Sequence, residues 1–211
     1  MVDLNLQSAR RRFRRLAVVA VALGLLSAVG ARDLAVWGLE ASPVFLVTGV
    51  VWACGWAPSV FLSRWMFVHA LVLIVGAHYT YAHVPAGQWV ADWLGQTRNP
   101  YDRLGHFIQG LVPALIMKEW LLRRRVVATA VAAAFGGLIF AGAFTAAYEV
   151  FEWAAAVALE QSADVFLATQ GFVWDTQADM LCAFLGAAVG VFGLASFHRR
   201  SLGELAPDSL A

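Results

Sequence analysis

Apolar runs of nearly bilayer-spanning length, each closed by a basic or turn-forming cluster, set the pattern of this chain. Roughly 20 apolar residues of helix cross a hydrocarbon core, and six runs come near that length. Leu16 to Gly30 follows the basic stretch Arg10–Arg15. Pro43 to Leu62 ends just before Arg64. Trp65 to about His83 forms the third run. Tyr101 to Leu122 is stopped by Arg123–Arg125. Val126 to about Leu159 is the fifth, and Trp174 to Phe197 is stopped by His198-Arg199-Arg200. Between them lie a short polar loop with Arg32, Asp33 and Glu40, a loop from His83 to Pro100, and a loop from Glu160 to Val173 in which Asp164 reads as a plain loop acid. Pro85, Gly87 and Asn99-Pro100 are turn residues, and Trp89 and Trp93 suit a membrane interface. The pattern predicts an all-α polytopic membrane protein. It has a basic cytoplasmic segment (1–15), a single domain of six transmembrane helices (16–200) and a cytoplasmic tail (201–211).

Composition agrees. Of 211 residues, 61% are hydrophobic and 14% charged, whereas soluble domains average about 25% charged. The net charge of +1 points to no nucleic-acid partner. Cys54 and Cys182 both sit in apolar runs, which argues for buried thiols over a disulfide framework. The amino terminus has the order of an export signal (basic, then apolar, then small residues), but with five further runs behind it an uncleaved first helix is the better reading. Charge distribution supports the topology. Six helices starting inside put both termini in the cytoplasm, with twelve of the fifteen Lys and Arg on that side, as positive-inside anchoring requires. Arg32, Arg98 and Arg103 fall outside. Gly186 and Gly190 in the sixth run, with Gly136, Gly137 and Gly142 in the fifth, permit close helix contact.

The ionisable groups inside the runs carry the candidate chemistry. Asp102 and His106 are four residues apart, Glu149 and Glu152 three, Asp175 and Asp179 four, so each pair shares a helix face. Glu149 lies 24 residues after Arg125, and Asp175 lies 24 residues before Arg199, each roughly 36 Å along a helix. Both spacings bring the acids to the outer leaflet, where Asp102, His106 and His78 also fall. An acid within a span costs roughly 2.5–3.5 kcal/mol at mid-depth, and neighbouring acids repel. The group therefore calls for a compensating cation. Arg103 supplies one charge, and a divalent metal or bound protons would supply the rest. Carboxylates and imidazoles on facing helices are the ligand set of helix-bundle metal sites. The expected ligands are Asp102, His106, Glu149, Glu152, Asp175, Asp179 and His78, and the same residues without His78 but with Arg103 are the expected catalytic set. Elsewhere the bland readings lead: Tyr101, Trp153 and Trp174 as belt aromatics, His69 as a core histidine, His83 in a loop and His198 at the inner surface.

The order Asn99-Pro-Tyr-Asp-Arg-x-x-His-Phe-x-x-Gly110, Tyr148-Glu-x-x-Glu-Trp153, Trp174-Asp-Thr-Gln-Ala-Asp-Met180 resembles the YjdF family of bacterial inner-membrane proteins over about residues 40–200. The resemblance implies a multi-pass inner-membrane location and brings no activity with it. Asp102-Arg-x-x-His106, Glu149-x-x-Glu152, Asp175, Asp179 and Gly186 are also similar in order to VanZ-like membrane proteins. Arg103 stands where that pattern has lysine, Glu152 where it has glutamine, and Ala183 where it has asparagine. The VanZ-like resemblance implies a role at the cell envelope.

Three functions fit these residues: a metal-dependent envelope enzyme acting on a lipid-linked or phosphorylated substrate, a proton- or cation-coupled transporter, and a module whose polar cluster only fixes packing. The inner half offers only His69 and the Lys118/Glu119 pair, and no inverted repeat is visible. This one-sidedness favours an enzyme or binder whose other partner is the lipid bilayer.

Overall fold

The computed structural model describes residues 2–158 and 170–205, and all regular structure among them is helical. The elements are α1 (Val2–Ser27), α2 (Leu34–Ala53), α3 (Val60–Tyr79), a 3₁₀ turn (Tyr81–His83), α4 (Pro85–Leu94), α5 (Tyr101–Arg123), α6 (Ala130–Ala158), α7 (Asp175–Ala188), a π-helical turn (Val189–Gly193) and α8 (Ala195–Leu205). Four are long and apolar enough to cross a membrane: α2, α3, α6, and α7 with its π turn. The helices α1 and α5 have 26 and 23 residues, enough length to cross, but each carries several charges.

Local chemistry explains where the boundaries depart from the hydropathy pattern. Asp33 caps α2 by accepting from the Ala35 and Val36 amides, so the expected polar loop is the first turn of a helix and Pro43 lies inside α2 instead of opening it. The turn into α3 falls at Cys54–Ser59, with Gly55 at φ 61° and the Ser59 hydroxyl accepting from the Leu62 amide. The expected loop from His83 to Pro100 contains α4. Pro85 opens that helix, where its missing N–H costs nothing, and Gly95 closes it in the left-handed conformation. Its Trp89 and Trp93 are 72% and 84% exposed, a pair of aromatics that suits an interface.

The helices form two triplets. One is α1, α2 and α3; the other is α5, α6 and α7; α3 and α5 join them. Phe13, Leu62, Met66, Leu111 and Leu115 fill the join. The second triplet is held by a seam of Ala114, Ala134, Ala141, Ala187 and Val191. Lipid is as apolar as leucine, so close packing of small residues has to hold such helices together. A Cβ on Gly110 would collide with the Ala183 backbone, and one on Gly186 with the Phe107 backbone. The expected contacts at Gly186, Gly190 and Gly137 all face α5; Gly110 on α5, quoted in the motif but not expected as a helix contact, packs against the Ala183 backbone of α7.

At the Arg123 end of α5 sits a second, fully buried polar group. Glu119 accepts from the Ser59 amide (2.8 Å) and from Arg123 (3.1 Å), and its other oxygen meets His198 Nε2 at 3.0 Å. Arg123 also donates to the Ala57 carbonyl. Beside it, the π turn frees backbone carbonyls, and Lys118 Nζ donates to that of Val191 at 2.6 Å. His198 is therefore a core residue, not an inner-surface one. The helix resumes after the π turn through Leu205, so Ser201, Leu202 and Leu205 pack against the protein, with Leu205 against Ala9 and Ala57. Residues 159–169, including Asp164, and the tail from 206 lie outside the described residues.

Candidate metal centre

The opposite end of α5 is tied down by its neighbours. The Asn99 side chain accepts from the Tyr101 amide and donates to the Val84 carbonyl. Its backbone exchanges two hydrogen bonds with the Gln170 amide group, just before α7. Arg98 then ion-pairs with Asp175 at the first turn of α7 and reaches Asp102 on α5 at 3.4 Å. The first turns of α5 and α7 are thereby fixed side by side, and the tight α5–α7 crossing keeps Asp102, His106, Asp175 and Asp179 together. All four are buried. From α6 come Glu149, which hydrogen-bonds Thr176, and Glu152.

His106 is the centre of this arrangement. Its Nε2 lies 3.6 Å from Asp102 Oδ1, and its Nδ1 lies 3.5 Å from Glu149 Oε1. Both gaps exceed the 2.7–3.2 Å of a good N–H···O bond. They are close to the separation of two ligands on one tetrahedral ion, about 3.3 Å for bonds near 2.0 Å. Two sets of donor atoms, each within 4.8 Å of one another, share this ring: Asp102, His106 and Asp179; and His106, Glu149 and Glu152. His106 Nδ1, Glu149 Oε1 and Asp179 Oδ1 are buried with no hydrogen-bond partner among the described residues. Buried polar atoms are rarely left so. The two sets suit an ion with mixed oxygen and nitrogen ligands, such as zinc, manganese or iron.

Asp102, His106, Glu149, Glu152, Asp175 and Asp179 therefore converge, but not all in one role. Asp175 belongs to neither donor set and serves the Arg98 ion pair. His78 is elsewhere: its Nδ1 meets the Ser27 carbonyl at 2.7 Å and its ring packs edge-on against Tyr79. It ties α3 to the end of α1 and is not among the ligands. The cation bonded to the acids is Arg98, one turn before Asp102, while the Arg103 guanidinium lies over the Phe172 ring at 5.5 Å. Spacing alone favoured Arg103, because Arg98 falls in the turn before the helix.

Glu40 was missed. It stands on α2, 7% exposed, with one buried unpartnered oxygen and within electrostatic reach of Asp102. A lone acid one turn before an apolar run was its only signal. Tyr81 and Tyr148 border the same acids, Tyr148 edge-on to His106 at 6.4 Å.

Below the acids, the two triplets leave a cavity of about 940 Å³, its open mouth included. Asp102, His106 and Glu152 stand at one end; the walls are largely apolar and come from α1, α2, α3, α5 and α6.

Comparison with known proteins agrees with a membrane setting. A family described as "Predicted membrane protein (DUF2238)" matches residues 13–200. The chain is 48% identical over 176 residues to the inner membrane protein YjdF of Escherichia coli (strain K12), covering 82% of this chain and 84% of that protein. No solved structure matches. The chain belongs to this family of membrane proteins, whose resemblance was carried by the Asp102, Glu149 and Asp175 motifs.

Proposed function

We propose that this member of the family spans the inner membrane six times with both termini in the cytoplasm, and that it is a metal-dependent hydrolase of the cell envelope. Its divalent ion sits at the outer leaflet on His106, and its substrate is a lipid-linked or phosphorylated compound. The topology is supported by the way the basic residues collect at one end. Arg64, Arg123–Arg125 and Arg199–Arg200 surround the Glu119 end of the bundle, and Asn5 near the start of α1 bonds the Glu204 carbonyl near the end of α8. The acids stand at the other end of α5.

The observation that carries the metal reading is the His106 ring, with a carboxylate 3.5–3.6 Å from each nitrogen and unpartnered ligand atoms around it. A bound divalent ion lowers the pKa of a coordinated water to about 7 and so supplies a nucleophile at neutral pH. The chain supplies the rest. Arg98 holds Asp102 in place through its ion pair. Glu152, at the cavity end beside His106, is placed to take a proton. Arg103, over the Phe172 ring, presents a planar cation to an anionic group.

Elemental analysis of the detergent-solubilised full-length protein tests this. Near-stoichiometric divalent metal is expected in the wild type. It is expected to be lost in Asp179→Asn and His106→Ala, both still eluting as folded protein. No metal in the wild type after adding back zinc, manganese or magnesium would overturn the reading.

A further inference from the structure

The cavity beneath the metal centre has the shape and polarity of a lipid site. Along α5 its lining runs from Asp102 to Ile116. Fourteen residues of helix rise about 21 Å, more than one leaflet of a hydrocarbon core about 30 Å thick. Only one end carries a cluster of acids. The walls there give way to Ala20, Val44, Met66, Leu73 and Val112. Val47 on α2 belongs both to the lining and to an exposed apolar strip with Leu46 and Val50, so the cavity opens sideways toward hydrocarbon and not to water.

Part way down, the largely apolar wall carries His69 on α3 and Gln109 on α5; Thr48 and Ser63 also line it, and the Ser63 hydroxyl donates to the Pro58 carbonyl. His69 Nε2 is buried and has no hydrogen-bond partner among the described residues. A carbonyl or ester group would meet the His69 and Gln109 side chains favourably; a pure hydrocarbon would leave them unsatisfied. Gln109 lies three residues below His106, about 4.5 Å along the helix, which sets the spacing between headgroup and carbonyl.

We propose that this cavity holds one acyl chain of an ester lipid, with the ester at His69 and Gln109 and the headgroup phosphate at the His106 site. The placement of the chain stands on the cavity alone; the placement of the phosphate rests on the metal reading above. The substrate class is then an acyl lipid that enters sideways from the bilayer, its chain passing the mouth at Val47.

The test is photocrosslinking of the full-length protein with an acylglycerol phosphate bearing a diazirine in its acyl chain, with metal content measured on the same samples. Adducts are expected on cavity-lining segments of α3 and α5. They should compete away with unlabelled acylglycerol phosphate and at least tenfold less well with farnesyl phosphate, which has no ester. Ala70→Phe fills the cavity away from the acids and should cut adducts at least tenfold with metal content unchanged. If Ala70→Phe does not fold, Ala20→Phe, on the α1 side of the same cluster, is read the same way. Adducts confined to exposed faces, or undiminished in the filled variant, would overturn the proposal and leave the metal reading intact. Equal competition by farnesyl phosphate would overturn the ester assignment. Cavity adducts in a protein that holds no metal would support the chain site and overturn the phosphate placement.

Discussion

The two ends of α5 bury charge in opposite ways. At the Arg123 end, Glu119 is fully buried and each of its oxygens is engaged, one by the Ser59 amide and Arg123, the other by His198; only His198 Nδ1 of this group has no hydrogen-bond partner among the described residues. At the Tyr101 end, six carboxyl groups (Glu40, Asp102, Glu149, Glu152, Asp175 and Asp179) gather near two guanidinium groups, and buried oxygens of Glu40, Glu149 and Asp179 have no hydrogen-bond partner among the described residues. A satisfied buried network rigidifies a fold. An unsatisfied one costs stability and persists where something else completes it. The difference assigns packing to the Glu119 end and ligand binding to the His106 end, though both are built from a histidine and carboxylates on neighbouring helices.

The largest effect is expected at the Glu119 end. Glu119→Ala leaves Arg123 and His198 without their buried partner and the Ser59 amide without an acceptor. Breaking a buried pair in this way costs about 3–5 kcal/mol. The melting midpoint in detergent should fall by roughly 10 °C or more, at about 2–4 °C per kcal/mol for a chain of this size. A midpoint within a few degrees of wild type would break the comparison from its structural side.

The two histidines sharpen it further. His198→Ala removes a bond to Glu119 and opens space beside the Phe61 ring stacked on it at 5.8 Å, with an expected loss of about 1–3 kcal/mol. His106→Ala breaks no hydrogen bond of good geometry, so the metal-free protein should melt close to metal-free wild type. With metal added, only the wild type should gain stability, as linkage requires of a ligand that binds the folded state. Equal destabilisation by the two substitutions, without a metal-dependent difference, would mean that both clusters serve packing.

Helical spacing made the His106 end partly legible in the sequence. Asp102 with His106, Glu149 with Glu152, and Asp175 with Asp179 each share a face by periodicity alone, and their distances from the inner arginines placed them at one depth. What periodicity could not give was pairing across elements. His198 is 79 residues from Glu119, and nothing local marks the two as partners. The run ending at Phe197 read as one helix stopped by basic residues, because a π turn leaves no mark in hydropathy. There the i to i+5 bond from Leu194 to Val189 redirects the chain so that His198 turns inward. Arg98 was passed over for Arg103 because the turn before α5 has no period to read. Glu40 looked like a loop residue because Pro43 was taken as the start of a helix that in fact begins at Leu34 under the Asp33 cap.

Glu40 gives the smallest and most discriminating effect. It adds a buried carboxyl group to the His106 end yet belongs to neither donor set, so Glu40→Gln separates general acidity from ligation. Replacing the acid removes its unfavourable interaction with Asp102, and the variant should melt at or slightly above the wild-type midpoint. It also weakens the field that draws a cation in, but no ligand is lost. Metal affinity should therefore fall by less than about threefold, under 1 kcal/mol, against the loss of stoichiometric binding expected for Asp179→Asn. Titrating both variants with the metal found in the wild type distinguishes the cases. If Glu40→Gln loses metal as fully as Asp179→Asn, Glu40 is itself a ligand. The site would then recruit α2 as well as α5, α6 and α7, closing over the head of the cavity from both triplets.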